Sequence, residues 1–217
     1  MDIISILENN RLFKGVSRRD IEEIINSIPT AQKSYRPKDI IMRQGEIARD
    51  IGIILSGGAL GIKYTPSGDE IIASRMGPGH IFADVLSAAD GFASPVTVTA
   101  TERCRVLFIN YHQLLNSENP LTLKVLQNMI QNISLKYFAQ NRRMDILTQR
   151  TVRDKALAYL EWQREIQASD SFEIPLNRRL MSDYLAVDRA ALSRELSKMK
   201  SEGLIDYRKN RFTLLKK

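Results

Sequence analysis

Cysteine occurs once in this 217-residue chain, at Cys104. A single thiol excludes an intramolecular disulfide, a multi-cysteine metal site and an iron–sulfur cluster. Cys104 reads instead as a small buried hydrophobe. Histidine is nearly as scarce, with only His80 and His112. Haem needs axial ligands, and His80, at the end of the stretch GPGH, reads as a surface turn residue, so haem is not expected. Two separated histidines also leave no nucleophile–base–acid arrangement, and no enzyme is expected. No metal site and no resident cofactor follow from these residues. No apolar run approaches the roughly 20 residues that span a bilayer. The start, MDIISILENNRLF, lacks a basic stretch ahead of an apolar one. A soluble, cytoplasmic protein without membrane contact is therefore expected.

Positive charge is not scarce. Lys and Arg number 32 against 25 Asp and Glu, a net +7. Residues 151–217 carry 14 basic and 10 acidic side chains, against 18 and 15 in residues 1–150. The excess is denser at the C-terminal end, which suits a polyanionic partner.

That end contains NRRLMSDYLAVDRAALSRELSKMKSEG, Asn177 to Gly203. Asn177 is positioned to cap a first helix, Arg178 to Leu185, whose apolar stripe is Leu180, Met181, Tyr184 and Leu185. Ala186 and a buried Val187 make a tight turn. Asp188 caps a second helix with Leu192, Leu196 and Met199 on one face, ended by Gly203. Arg189, Ala190, Ser193 and Arg194 fall on the opposite face. Two helices so joined are how proteins place side chains in the DNA major groove, where arginine donates two hydrogen bonds to guanine. The segment LIDYRKNRFTLLKK then alternates as two short strands about Lys209-Asn210, giving a winged helix-turn-helix. Lys198, Arg178 and Arg208 complete the expected DNA-binding set. The alternative for this stretch alone is an ordinary amphipathic hairpin with its charges in water.

Upstream, residues 1–30 read as helical. Ser17 and Asp20 form a cap, and Ile21, Ile24, Ile25 and Ile28 an apolar face. From Tyr35 to Ile109 short apolar runs alternate with glycines every eight to twelve residues, the spacing of an all-β sandwich or barrel. Ser67-Gly68-Asp69 reads as a hairpin turn. A helical insert, Ala83–Ala89, follows a glycine-rich approach and is either an anion cradle or a sheet corner. Asn119-Pro120 opens a long helix to about Thr148, roughly 45 Å at 1.5 Å per residue. Leu126, Ile130, Ile133, Tyr137, Met144 and Leu147 form its seam, interrupted by Gln140 and Asn141. A helix of that length needs a domain or a second copy to cover the seam, and a second copy is expected. Thr151 starts a further helix with Val152, Ala156, Tyr159 and Leu160. Residues 148–151 are thus a candidate hinge, and Glu173–Leu176 a short extended piece. The expected domains are 1–118, 119–148 and 149–217.

Taken in order, these pieces resemble the Crp/Fnr family of bacterial transcription regulators over nearly the whole chain. The residues that carry the resemblance are Leu12-Phe13 and Ser17, Gly45, Gly57, Gly68, Gly77-Pro78-Gly79, the helix from Pro120, and DRAALSREL with EGLI. The resemblance implies an α+β protein: a cyclic-nucleotide-binding-type β-roll (double-stranded and jelly-roll-like), a long dimerisation helix and a winged helix-turn-helix. It implies a homodimer on double-stranded DNA, with a small-molecule effector shifting the DNA-binding domains. Leu126, Ile130, Ile133, Tyr137 and Met144 would line the dimer interface. RNA polymerase is a further partner if the protein activates, though no local chemistry marks that patch.

Two departures from the family pattern bear on function. Cyclic-AMP-binding members carry a glutamate for the ribose and an arginine for the phosphate. The resemblance puts Asp84 at the first place and Ser94-Pro95 at the second. A serine gives one neutral hydrogen bond where arginine gives a charge-assisted fork roughly twice as strong per bond. Cyclic AMP is thus not the expected effector, unless Arg75 or Arg103 substitutes from another strand. Asp84, Ser94, Thr97, Gln140 and Asn141 are the candidate effector residues by position, and Gln140 and Asn141 serve equally to set helix register. In the recognition helix, many relatives carry Arg-Glu-Thr where this chain has Arg189-Ala190-Ala191. Alanine cannot accept from cytosine N4 but suits a thymine methyl. Arg194 remains as a guanine contact, followed by Glu195 where an aliphatic residue is often buried. The competing functional reading is a cyclic-nucleotide-type sensor whose output is a protein contact.

Overall fold

Ser17 accepts a hydrogen bond from the Asp20 N–H at 3.2 Å and so starts helix α2 (Arg18–Ser27). It follows α1 (Ile3–Glu8) and a 3₁₀ turn at Arg11–Phe13. The computed structural model describes residues 3–89 and 91–215. Its contacts gather into two compact units, Met1–Leu135 and Lys136–Lys217.

Eight strands follow in the first unit: β1 (Thr30–Tyr35), β2 (Ile40–Met42), β3 (Asp50–Ser56), β4 (Ala59–Tyr64), β5 (Glu70–Met76), β6 (Ile81–Phe82), β7 (Thr97–Ala100) and β8 (Cys104–Asn110). They form two antiparallel four-stranded sheets, ordered β1-β8-β3-β6 and β2-β7-β4-β5. Period-two alternation divides β8 between two cores. Cys104 and Val106 join Met42, Ile54 and Val98. Leu107 and Ile109 join Ile51, Ile53, Ile21 and Ile24 on the helical side. Buried on both faces, β3 reads as a nearly continuous apolar run.

Strand β1 was not expected, because TAQKSY has no apolar alternation. It is an exposed edge, held by backbone pairing from Thr30–Ile109 to Tyr35–Cys104. The expected hairpin between β4 and β5 is present, with Gly68 at φ +89°. Gly52 lets β6 close on β3, since a Cβ there would lie 2.2 Å from the Phe82 ring. Helix α3 (Asp84–Ala88) starts from Ala83 at φ 58° without a side-chain cap, and α4 (Tyr111–Leu115) follows β8.

Helix α5 (Leu121–Leu147) is capped by Asn119, whose Oδ1 accepts from the Leu121 N–H at 3.0 Å. Its inner face is not the seam read from sequence. Val125 and Met129 are buried in the helical-side core. Asn128 donates to the carbonyls of Leu12 and Lys14, each at 2.9 Å. Leu126 and Ile133 only lean on that core. Ile130, Tyr137 and Met144 stay exposed, and so does Leu123, seven residues before Ile130.

The second unit takes the end of α5 and adds α6 (Val152–Gln167), β9 (Ser171–Glu173), α7 (Arg178–Leu185), α8 (Arg189–Ser201), β10 (Ile205–Arg208) and β11 (Arg211–Leu214). Its sheet runs β10-β11-β9, so the extended piece lies slightly ahead of the expected 173–176. Tyr159, Leu160, Met181, Leu192, Leu196 and Phe212 form the core, and Ile146 of α5 is buried among them. The break at 148–151 therefore separates two helices of one unit rather than two rigid bodies. The division between units falls inside α5, because the last turns of that helix contribute to the second core. No described helix is long and apolar enough to cross a membrane.

Candidate nucleic-acid interface and sensor cavity

Helix α7 is set by Asn177, whose Oδ1 accepts from the Leu180 N–H at 3.0 Å. It ends at Ala186 in the left-handed region, φ 50° and ψ 55°. Val187, half-buried rather than buried, bonds back to Ser182 O at 3.1 Å. Asp188 then accepts from the Ala191 N–H at 2.8 Å and starts α8. At the far end, Leu204 N–H bonds to Met199 O and Gly203 N–H to Lys200 O, both at 3.0 Å. That pair of bonds is a Schellman closure, with Gly203 at φ 72°.

These caps fix the rotation of α8. Leu192, Leu196 and Met199 are fully buried. Arg189, Ala190, Arg194 and Lys198 are exposed, and Ser193 is half-buried. Among the described residues none of these three cations has an ion-pair partner. The Ser193 hydroxyl donates to Arg189 O at 2.9 Å and keeps its lone pairs for an outside donor. Glu195 is anchored: Arg153 Nε donates to it at 2.6 Å, and the other end of that guanidinium reaches Glu202 at 2.8 Å. The two carboxylates, Glu202 first, raise the Arg153 pKa above its ordinary value. Glu195 thus ties α8 to α6, and Leu196 takes the apolar core position beside it. Sequence reading missed Arg153, because its partners lie more than forty residues away.

The wing turn carries a cleft of about 640 Å³ lined by Arg178, Arg208, Lys209, Arg211, Asn210 and Glu173. Arg208 faces Arg211 across the hairpin, and Lys209 turns the chain at φ 56°. The run RKNR was the available signal for Lys209 and Arg211. Arg178 differs from the other cations here. Its guanidinium lies 4.9 Å from the Tyr207 ring centre and 5.2 Å from that of Phe212, two rings that stack on each other. Burial lowers its pKa, partly offset by Tyr207. The side chain lines the cleft and is at the same time a half-buried packing element of the wing, because two aromatic faces compete for its weakly hydrated plane. Lys200, likewise, is held by Asp206 and lies over Tyr207. On the other side of α7, Arg143 packs over Tyr184 at 5.0 Å, joining the end of α5 to the helix pair.

The candidate effector residues of the first unit, Asp84, Ser94 and Thr97, do not line one cavity. A cavity of about 310 Å³ opens between α3 and strands β2, β5 and β7. Asp84, 5% exposed, lines it. Ser94 and Thr97 are buried, but their hydroxyls are engaged elsewhere. Ser94 Oγ donates to Val96 O at 2.7 Å, and Thr97 Oγ1 accepts from the Gln44 N–H at 3.0 Å. Ser94 also exchanges backbone bonds with Gly45 and Glu46, each 2.8 Å. Both side chains build the loop, and the neighbouring Pro95, Val96 and Val98 face the cavity instead. Gln140 and Asn141 stand on the part of α5 that belongs to the second unit. Neither Arg75 nor Arg103 is among the lining residues, and no lysine is.

Comparison with known proteins agrees with both halves. The cyclic nucleotide-binding domain model matches residues 32–117, and the Crp-like helix-turn-helix domain model matches residues 155–217. The transcriptional activator protein FnrA of Stutzerimonas stutzeri is 20% identical over 190 residues, covering 85% of this chain and 76% of that protein. The potassium channel SKOR of Arabidopsis thaliana is 28% identical over 110 residues, which is 51% of this chain but only 13% of the channel. Likeness to the channel is thus confined to a part of each. The solved catabolite activator protein of Thermus thermophilus shares the fold at a TM-score of 0.58, with 18% identity over 94% of this chain and 93% of that one. A cyclic-nucleotide-type roll followed in one chain by a Crp-like helix-turn-helix places this protein in the Crp/Fnr family of transcription regulators.

Proposed function

We propose that the protein is a homodimeric, DNA-binding transcription regulator, with Arg189 and Arg194 reading bases in the major groove. One observation carries this reading. The face of α8 opposite the core presents Arg189, Arg194 and Lys198 in solvent, on a helix whose rotation is fixed by a cap at each end. Ala190 sits between them, suited to a thymine methyl. Arg208, Lys209 and Arg211 of the wing flank the groove on the phosphates, where they add affinity without sequence information.

Dimerisation is supported by α5. Leu123, Ile130, Tyr137 and Met144 recur every seven residues and are each more than half exposed. Three residues on from each stand Leu126, Ile133, Gln140 and Leu147. That is an a/d heptad pattern with one polar position, and an exposed stripe of this length is costly unless a second helix covers it. Two copies would set their recognition helices on half-sites about one DNA turn, ~34 Å, apart.

Selection from a random-duplex library, followed by binding titrations, tests the DNA reading. Palindromic half-sites one turn apart are expected. Arg194→Ala should weaken binding by ~1–3 kcal/mol and relax one base step in each half-site. Equal affinity of wild type for selected and scrambled duplexes would leave the protein-contact output as the better account. For the dimer, Ile130→Asp should give monomers by light scattering at micromolar concentration. A dimer that persists unchanged removes α5 as the interface.

A further inference from the structure

We infer that Arg153 is a positioning residue of the reading face: through Glu195 and Glu202 it sets the direction in which α8 presents Arg194, and so the base preference, without itself touching DNA. The inference rests on the reading of α8 as the recognition helix and adds what orients that helix. Arg153 stands in the first turn of α6, just after the Thr151 cap, whose Oγ1 accepts from the Asp154 N–H at 3.1 Å. Its guanidinium commits three of its five N–H groups to carboxylates of α8 and its cap. Nε donates to Glu195 at 2.6 Å. Nη1 and Nη2 fork onto the two carboxylate oxygens of Glu202, at 2.8 and 3.0 Å. The side chains of Arg153 and Glu195 are only 30% and 23% exposed, so water screens their contact less than that of an open surface pair.

The apolar contacts of α8 do not fix its direction alone. Leu192, Leu196 and Met199 hold the helix against the core, but burial is non-directional and tolerates small rotations and slides. A charge-assisted fork is directional. Glu195 and Glu202 are separated by about 10 Å along the axis at 1.5 Å per residue, so one guanidinium grips α8 at two points. Neighbouring residues on a helix point about 100° apart, and Arg194 directly precedes Glu195. Fixing the second therefore aims the first. Glu202 also closes the C-terminal end of α8, where the helix dipole disfavours an anion, and Arg153 offsets that charge. Lys155, in the same turn of α6, donates to the carbonyl of Leu185 at the end of α7 at 3.4 Å. The start of α6 thus holds both helices of the pair.

Fluorescence anisotropy with a selected and a scrambled duplex reads the ratio of the two affinities, in which the sequence-independent phosphate attraction cancels. Arg153→Lys keeps the charge and loses the fork, and should lower the ratio about fivefold. Arg153→Met should lower it about tenfold or more. In both variants the salt slope of binding should stay that of wild type. Glu195→Gln should also lower the ratio, and adding it to Arg153→Met should lower it by about a further twofold at most, because the two act through one contact. Circular dichroism melts establish that each variant is folded, and should Arg153→Met fail to fold, Arg153→Lys decides alone. A ratio within about twofold of wild type in the folded variants overturns the inference. So does a loss shared equally by both duplexes. With the salt slope reduced by about 0.9 it makes Arg153 a phosphate contact, and with the slope unchanged and the melting midpoint lowered it makes the residue a general support of the fold. Losses that multiply in the double variant show that Arg153 does not act through Glu195, and overturn the inference as well. Equal binding of both duplexes by wild type refutes the regulator reading and this inference with it, and is seen before any variant is measured.

Discussion

The two candidate sites of this protein are built on opposite principles. The face of α8 and the wing turn is open and cationic, with Arg189, Arg194 and Lys198 in solvent. The roll cavity is small and mostly apolar, lined by Met42, Met76, Phe82, Leu86, Val96 and Val98 with Asp84 and His80 among them. An exposed cation keeps its hydration until a polyanion displaces it, so it gives long-range attraction that salt screens. A cavity gives short-range selection by shape and by the penalty for an unpaired charge, on which salt has little purchase. An open cationic face and a small, mostly apolar cavity thus separate the proposed output from the proposed sensor within one chain.

Salt gives the largest separation. Raising it from 50 to 200 mM should lower affinity for duplex DNA on the order of 10³-fold or more, if the dimer neutralises six or more phosphates. Duplex affinity is read by fluorescence anisotropy, and the melting midpoint of the first unit, built on a buried apolar core, should move little over the same salt range. A midpoint that falls in parallel with duplex affinity would break the contrast.

Next in size is a deletion confined to the roll. The Phe82 ring fills the space left by Gly52 and meets Phe108 edge-on at 6.3 Å. Phe82→Ala should cost the first unit ~3–5 kcal/mol in denaturant melts. The melting of an isolated residue 149–217 fragment supplies no control, because Ile146 belongs to its core. Near-ultraviolet circular dichroism from Trp162 in the full chain reports the second unit instead, and should keep its own midpoint. Coincident loss of both would show the two units to be coupled.

The smallest contrast lies between two arginines of one cleft. Arg178→Met removes a guanidinium stacked on Tyr207 and Phe212, and should cost ~1 kcal/mol of stability while leaving the salt slope of DNA binding unchanged. Arg208→Met should leave stability within ~0.5 kcal/mol and reduce that slope by ~0.9 for each phosphate no longer neutralised. Reversed outcomes would make Arg178 rather than Arg208 the phosphate contact.

Much of the output end was legible from local chemistry. Asn177, Asp188 and Gly203 are read correctly because a cap acts over two to five residues. The roll was legible as strands and turns, except for β1. An edge strand with both polar faces carries no periodic signal and is recruited by the backbone of β8. Helix α5 was read as having one apolar stripe where it has two. Val125 and Met129 face inward while Leu123 and Ile130 face out, and all four are equally apolar in the sequence. For the effector residues, position alone singled out Ser94 and Thr97. Only the folded chain reveals that Val96 O and the Gln44 N–H occupy their hydroxyls.

By itself the amino-acid sequence determined the order of elements, the family and the caps of the recognition helix. These depend on residue identity and on hydrogen bonds between near neighbours. Tertiary structure decided which cations remain in solvent, which carboxylates are tied to Arg153, and what lines the cavity. Those are questions of desolvation and contact among side chains remote in sequence, and no local spacing encodes their answers.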